Sequence, residues 1–358
     1  HNPAQYNGMK FCRAGAVAIG RDTGLADIRD AAEVYLDRGL PAPTVTGRVE
    51  SRDLLVEYAQ YLRGLVDLTA IRPLKVVVDA GNGMAGHTVP AVLGDTVLPA
   101  LPLEIVPMYF ELDGSFPNHE ANPLEPANLV DLQQRVVSEG ADIGLAFDGD
   151  ADRCFVVDGA GAAISPSAIT CLVAVRELGR SPGATVIHNL ITSRAVPEVI
   201  AEHGGSAVRT QVGHSIIKAE MARTGAVFGG EHSAHYYFRD FWFADTGMLA
   251  ALHVLAELGG QPGRLAELVE PYARYVASGE INSKVTDQVA AVGAVRETFE
   301  ALATSVDDLD GLTFAMPGGS WFNVRPSNTE PLLRLNVEAP SAEAMQALRD
   351  DVLAVIRR

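Results

Sequence analysis

Leu74-Lys75-Val76-Val77-Val78-Asp79-Ala80-Gly81-Asn82-Gly83-Met84-Ala85-Gly86 is the stretch on which the fold class turns. Residues 74–80 form a short apolar run rich in β-branched valine, which reads as a strand buried on both faces. It runs straight into a glycine-rich turn, as strands of α/β proteins do where the chain swings into a helix. The same alternation continues downstream. Residues 103–110 read as a second strand, and 126–140 as a helix with Leu129, Leu132, Val136 and Val137 on one face. Residues 141–147 read as a strand ending in an acidic loop, with extended chain again at 154–157.

A further α/β unit follows. Helices are expected over 166–178, 193–203 and 214–223, with strands over 184–190, 207–212 and 226–229. A strongly apolar helix is expected over 243–258 and another over 264–272. Near Tyr275 the pattern changes to extended segments at 275–285, 312–316, 320–325 and 332–338, with helices at 287–303 and 341–357. This predicts a separate α+β module. The Gly39-Leu40-Pro41-Ala42-Pro43 stretch marks an earlier boundary, so the expected divisions are 1–45, 46–160, 161–270 and 271–358.

The 358 residues carry 47% hydrophobic and 20% charged side chains, which excludes a disordered or fibrous chain. A formal charge of −17 opposes generic binding to nucleic acid or an anionic membrane. No apolar run is long enough to span a bilayer. Three cysteines, Cys12, Cys154 and Cys171, do not make a disulfide framework and suit a reducing, cytoplasmic setting.

Four constellations carry chemistry. Asp148-Gly149-Asp150-Ala151-Asp152-Arg153 closes a strand with three carboxylates at alternate positions. Such a set repels itself unless a hard cation joins it. An EF-hand loop needs Gly at its sixth position and Glu at its twelfth; here these are Arg153 and Gly159, so Mg²⁺ serving a phosphate fits better than structural Ca²⁺. A solvated acidic turn is the plain alternative. Arg325-Pro326-Ser327-Asn328-Thr329-Glu330-Pro331-Leu332-Leu333-Arg334 offers guanidinium, hydroxyl and amide donors suited to a phosphate, against the alternative of an ordinary hairpin. In Gly229-Gly230-Glu231-His232-Ser233-Ala234-His235 the glycine pair admits a ligand to the backbone. An extended loop there would project Glu231, Ser233 and His235 to one side. Val212-Gly213-His214-Ser215-Ile216-Ile217-Lys218 places His214 and Lys218 one helical turn apart. The opening run His1-Asn2-Pro3-Ala4-Gln5-Tyr6-Asn7-Gly8-Met9-Lys10 reads as a loop of two turns carrying a histidine and a lysine.

Taken in order, these motifs resemble those of the α-D-phosphohexomutase family over essentially the whole chain. His1-Asn2-Pro3 and Tyr6-Asn7-Gly8-x-Lys10 match the second half of that family's serine motif, T-A-S-H-N-P followed by Y-N-G-x-K. Asp148–Arg153 matches its metal loop, Gly230–His235 its sugar loop with Ala234 where Gly is usual, and Arg325–Arg334 its phosphate loop. The family's phosphorylated serine would stand immediately before His1, and most of its first domain upstream of that.

The resemblance implies several three-layer α/β domains with mixed sheets around a central cleft, plus the C-terminal α+β domain. It implies interconversion of hexose 1-phosphate and hexose 6-phosphate through a phosphoserine and a bisphosphorylated sugar, with mannose preferred and glucose possible. His232, after the sugar-loop glutamate, bears on that choice. By the same resemblance His1, Lys10, Arg153 and His235 are catalytic, and Asp148, Asp150 and Asp152 hold one Mg²⁺ per chain. Glu231, Ser233, His214 and Lys218 face the sugar, while Arg325, Ser327, Asn328, Thr329 and Arg334 grip its non-reacting phosphate. Glucose 1,6-bisphosphate is the implied activator, hexose phosphates the only partners, and the assembly a monomer or homodimer. A phosphoglucosamine mutase, an aspartyl phosphatase and a non-catalytic sugar-phosphate binder are the competing readings.

Overall fold

The computed structural model describes residues 6, 8–20, 23–42, 45, 47–327 and 332–358. His1, Asn328 and Thr329 lie outside the described residues, as does the side chain of His214. The chain divides into two compact units, one built from 1–161 with 237–262, the other from 162–236 with 263–358. Among the described residues no helix is long and apolar enough to cross a membrane.

The first unit opens with a short hairpin, β1 (Cys12–Arg13) and β2 (Val17–Ala18), and α1 (Leu25–Arg38), which buries none of its residues. After α2 (Leu55–Leu65) comes β3 (Leu74–Asp79), the strand expected from the valine run. β3 pairs in parallel with β4 (Leu103–Met108) on one side and β5 (Ile143–Phe147) on the other. Val76, Val77, Val78, Ile143 and Leu145 are all fully buried, as expected for central parallel strands. The helices α3 (Ala85–Val92) and α4 (Val130–Glu139) follow β3 and β4. β6 (Cys154–Asp158) returns antiparallel beside β5, giving the order β4-β3-β5-β6 within this unit; the short β7 (Ala163–Ile164) follows in the second unit.

The second unit holds α5 (Pro166–Arg180), β8 (Thr185–Asn189), α6 (Ala195–Glu202), β9 (Ser206–Thr210), α7 (His214–Thr224) and β10 (Phe228–Gly230). β8 is flanked in parallel by β9 and β10. The chain then passes back into the first unit through the hairpin β11 (Tyr236–Phe238) and β12 (Ala244–Asp245) and enters α8 (Gly247–Gly259). The helix expected over 243–258 thus starts later. Trp242 and Phe243 sit in left-handed backbone, at φ +55° and +56°, and Thr246 caps α8 by accepting a hydrogen bond from the Leu249 amide. Apolar content extended the expected helix past a cap that only the Thr-Gly pair signals.

After α9 (Leu265–Val269), the last segment is antiparallel. It contains β13 (Val276–Lys284), α10 (Gln288–Phe299), β14 (Ser305–Asp307), β15 (Leu312–Ala315), β16 (Trp321–Pro326), β17 (Leu332–Ala339) and α11 (Ala342–Ile356). The strand order is β13-β17-β16-β15-β14. Phe314, Phe322, Val324, Leu333, Leu335 and Val337 point to one face and form a core with Val295 and Phe299 of α10 and Val352 of α11. The alternate residues point the other way, so Trp321, Asn323 and Arg325 stand opposite Glu338, Asn336 and Arg334 on a polar face.

Two stability outcomes follow from this packing. A β-carbon on Gly247, at the start of α8, would lie 2.6 Å from the backbone carbonyl of Arg153. Gly247→Ala should therefore destabilise the protein by about 1–3 kcal/mol. Gly179→Ala, on α5 with nothing within 4 Å, should leave stability unchanged or raise it slightly. Melting followed by circular dichroism compares the two. His188, buried at the end of β8, has its pKa pushed down to about 4 by desolvation. The unfolded chain takes up that proton below about pH 6.5, so stability should fall by about 3 kcal/mol between pH 6.5 and pH 4. Denaturant titration across that range should show a shallower acid limb in His188→Gln.

Candidate active site

In the first unit, β5 delivers Asp148 fully buried at the strand end, and β6 takes the chain away after Arg153. Between them Ala151 adopts φ +61°, and its amide bonds the Asp148 carbonyl, so the backbone curls and turns the three carboxylates inward. Oxygens of Asp148, Asp150 and Asp152 all lie within 4.8 Å of one another. Arg153 Nε donates to Asp148 Oδ2 at 2.7 Å, and its backbone amide to Asp148 Oδ1 at 3.1 Å. Its Nη1 reaches Asn122 Oδ1 at 3.3 Å. The glycine-rich turn after β3 braces this loop through the Met84 amide, which donates to the Gly149 carbonyl.

Lys10 joins this group. Its Nζ lies 2.8 Å from Asp150 Oδ2 and also bonds Asp152. Burial pushes the Asp148 carboxyl up to about 6 against the opposing charge of Arg153, and Asp152 and Asp150 add to the rise. Burial also acts upward on Asp150, but the hydrogen bond and charge of Lys10 hold it below the usual carboxylate range. Desolvation opposes the charge of Lys10, and its two carboxylate partners more than offset this, raising its pKa. A lysine ammonium thus occupies part of the ground where a metal cation would sit. Three hard oxygen donors gathered this closely are a donor set suited to a small divalent ion.

In the second unit, Glu231 follows β10 and is buried, its Oε2 accepting from Asn189 Nδ2 at 3.0 Å. The loop it begins is not extended. The Glu231 amide donates to the His235 carbonyl at 3.0 Å and the Ala234 amide to the Glu231 carbonyl at 3.1 Å. Ala234 takes φ +64°, left-handed backbone at the place where the resembled motif has Gly. Glu231, Ser233 and His235 therefore lie on a tight turn, and the expectation that they project side by side from an extended loop is corrected. The glycine preceding Glu231 also has a different reason: a β-carbon on Gly230 would lie 2.4 Å from Thr170 Oγ1 of α5, so helix packing demands it.

Also in this unit, His232 Nδ1 lies 3.4 Å from Ser167 Oγ, which accepts the Ser193 amide at 3.0 Å. Burial pushes the His232 pKa down, with Glu280 opposing. His214 is the first residue of α7, and Lys218 stands half-buried one turn on.

Arg325 of β16 and Arg334 of β17 are direct cross-strand partners. Both reach Glu280 of β13, Arg325 Nη2 at 2.8 Å from Oε2 and Arg334 Nη1 at 3.4 Å from Oε1. Ser327 is buried, and its amide donates to the Leu332 carbonyl at 2.8 Å. Sequence reasoning missed Glu280, Asn189 and Asn122. The signal for Glu280 was two arginines set against a single acid, Glu330, in their own motif.

Family models match three successive stretches: phosphoglucomutase/phosphomannomutase alpha/beta/alpha domain II at residues 56–161, domain III at 165–275 and the C-terminal domain at 280–355. A phosphomannomutase of Escherichia coli strain K12 is 41% identical over 341 residues, which is 95% of this chain and 74% of that protein. A protein named for phosphohexose mutases in Xanthomonas campestris pv. campestris is 42% identical over all of this chain and 78% of its own length. The crystal structure of a phosphoglucomutase/phosphomannomutase family protein from Burkholderia thailandensis superposes with a TM-score of 0.79 at 31% identity, over 93% of this chain and 70% of that one. With these matches running along the same motifs, the chain belongs to the phosphoglucomutase/phosphomannomutase family.

Proposed function

We propose that this protein is an isomerase that interconverts hexose 1-phosphate and hexose 6-phosphate, with mannose the preferred sugar and glucose accepted. What carries the reading is the relation to a phosphomannomutase at 41% identity over 95% of the chain. The clustering of Asp148, Asp150, Asp152 and Lys10 supports it independently.

The residues divide the work by their chemistry. Asp148, Asp150 and Asp152 would hold one Mg²⁺, which when bound supplies positive charge to the phosphoryl group in transfer. Arg153, pinned by Asp148, presents its guanidinium beside that charge. Lys10, His1 and His235 exchange protons with the reacting hydroxyl or stabilise its charge. Glu231 and Ser233 accept and donate hydrogen bonds to sugar hydroxyls, with His214 and Lys218 alongside. Arg325, Ser327, Asn328, Thr329 and Arg334 grip the phosphate that is not reacting. The phosphoryl group passes from a phosphoserine to the free hydroxyl, and the bisphosphorylated sugar turns over before the serine recovers the other phosphate. Glucose 1,6-bisphosphate serves as activator, and a cytoplasmic monomer or homodimer suits the sparse free cysteines.

A coupled assay of mannose 1-phosphate conversion, with Mg²⁺ and a catalytic amount of glucose 1,6-bisphosphate, tests this on the full-length protein. Turnover faster than with glucose 1-phosphate is expected, and glucosamine 1-phosphate as the best substrate would overturn the sugar assignment. Asp150→Asn should lower kcat by about 10²-fold or more. Millimolar Mg²⁺ should raise the melting temperature of the wild type by about 2–4 °C, and Asp150→Asn should lose that shift. A wild-type melting curve indifferent to Mg²⁺ would remove the acidic loop from the metal role.

A further inference from the structure

The two guanidiniums of the C-terminal sheet share a carboxylate that none of the sequence motifs contains. Arg325 and Arg334 face each other directly across β16 and β17, and like charges in that register repel. Glu280 reaches them from β13, on the far side of β17 from Arg325. One oxygen takes Arg325 at 2.8 Å and the other approaches Arg334 at 3.4 Å. The backbone is shaped for this. The β13–β17 register shifts between Ala277 and Glu280, and Gly279 in the gap stands at φ +68°. A bulge of this kind re-aims the side chain that follows it. Glu280 itself is three-quarters buried, so the contact is shielded from solvent.

The charges do not balance. Among the described residues two cations meet one anion, and Arg325 Nε and Arg334 Nε are buried with no hydrogen-bond partner. Donors left over beside a partly neutralised cation pair make a seat for an anion.

We infer that Glu280 is the positioning residue of the phosphate seat, holding the two arginines side by side and limiting how tightly they grip a phosphate. The inference rests on the hexose-phosphate reading. It adds that the grip is deliberately moderated. The proposed reaction has to release one phosphate of a bisphosphorylated sugar and seat the other within each turnover. A fully uncompensated arginine pair would bind the intermediate and the transition state alike, which slows turnover without helping the chemistry. With Glu280 in place, an arriving phosphate competes with an internal carboxylate and leaves as that carboxylate recovers its partners.

The test is Glu280→Gln in the full-length protein, read first by calorimetric titration with inorganic phosphate. Gln keeps the shape and one acceptor oxygen for Arg325 but removes the competing charge. Phosphate should bind about fivefold more tightly. In the mutase assay, KM for mannose 1-phosphate should fall and kcat should fall with it. Unchanged or weaker phosphate binding by a folded Glu280→Gln protein would overturn the inference, since a mere strut would loosen the seat when altered. If Glu280→Gln fails to fold, Glu280→Asp supplies the second variant. Its carboxylate is drawn back from the pair, and it should tighten phosphate binding in the same direction by about twofold. Wild-type affinity in Glu280→Asp would then overturn the inference. Phosphate binding does not depend on turnover, so a wild type inactive on hexose phosphates would reject the functional reading while leaving the Glu280 result to stand or fall alone.

Discussion

Three carboxylates forced onto one six-residue turn set the terms for the first unit. Coulomb repulsion between them would open the loop, and the surrounding structure is organised to prevent it. Asp148 is fixed at the buried end of β5 and bonded by Arg153, and Lys10 bridges Asp150 and Asp152. The start of α8 abuts the Arg153 backbone so closely that no β-carbon fits at Gly247. The Met84 amide ties the opposite side of the loop to the turn after β3. A loop anchored at both strand ends, from a helix start and from a neighbouring turn, and paired with Arg153 and Lys10, keeps its carboxylates converged. Burial pushes the Asp148 carboxyl up to about 6, in the direction set by keeping that charge out of water.

The second unit solves a different problem with the plainest property of a strand. Because side chains alternate, one face of β16 and β17 supplies Phe322, Val324, Leu333, Leu335 and Val337 to the core, and the other supplies Arg325, Arg334, Asn336 and Glu338. Stability and chemistry are therefore separated by a single residue step. The polar face is also what ties the sheet to the helices before it. Glu338 accepts the Arg194 amide at 2.9 Å, at the start of α6, and Trp321 Nε1 at 2.8 Å. Arg274 adds paired contacts to Glu202 of α6 at 2.6 Å. The arginines are thus carried on a sheet whose orientation to α6 is fixed by named polar contacts.

Much of this was legible in the sequence. The valine run became β3, the D-G-D-A-D-R loop sits between β5 and β6, and the extended segments after Tyr275 became an antiparallel sheet with two helices. These features are local, written in period and turn chemistry within ten or so residues. What the sequence hid was contact at long separation. Glu280 lies 45 residues before Arg325, and Asn189 lies 42 before Glu231. Nothing in a single chain announces such pairs. Three helices, α1, α2 and α3, also went unread. α1 buries no residue, so no apolar stripe was required of it, and α3 carries Pro90 in its interior, which argues against helix on sight. The Glu231–His235 loop was misread because alternate polar residues suit an extended strand, whereas its shape comes from left-handed backbone at Ala234, a position where Ala gives no hint of it.

The misreading of the Glu231–His235 loop has a physical source that bears on how such loops work. Sequence patterns report what a segment prefers in isolation; functional loops are held where their surroundings need them. Ala151 and Ala234 both occupy φ near +60°, one in the acidic loop and the other in the loop of Glu231 and His235. Each left-handed alanine costs about 1–2 kcal/mol relative to ordinary backbone. In both loops the return is geometric. The curl at Ala151 turns the three aspartates toward a common point, and the turn at Ala234 lets the Glu231 amide close on the His235 carbonyl. An enzyme that interconverts hexose phosphates gains from loops of this kind. Side chains fixed by backbone strain and by neighbouring hydrogen bonds hold their places in the absence of ligand, so within each unit a ligand does not have to organise the loop it meets.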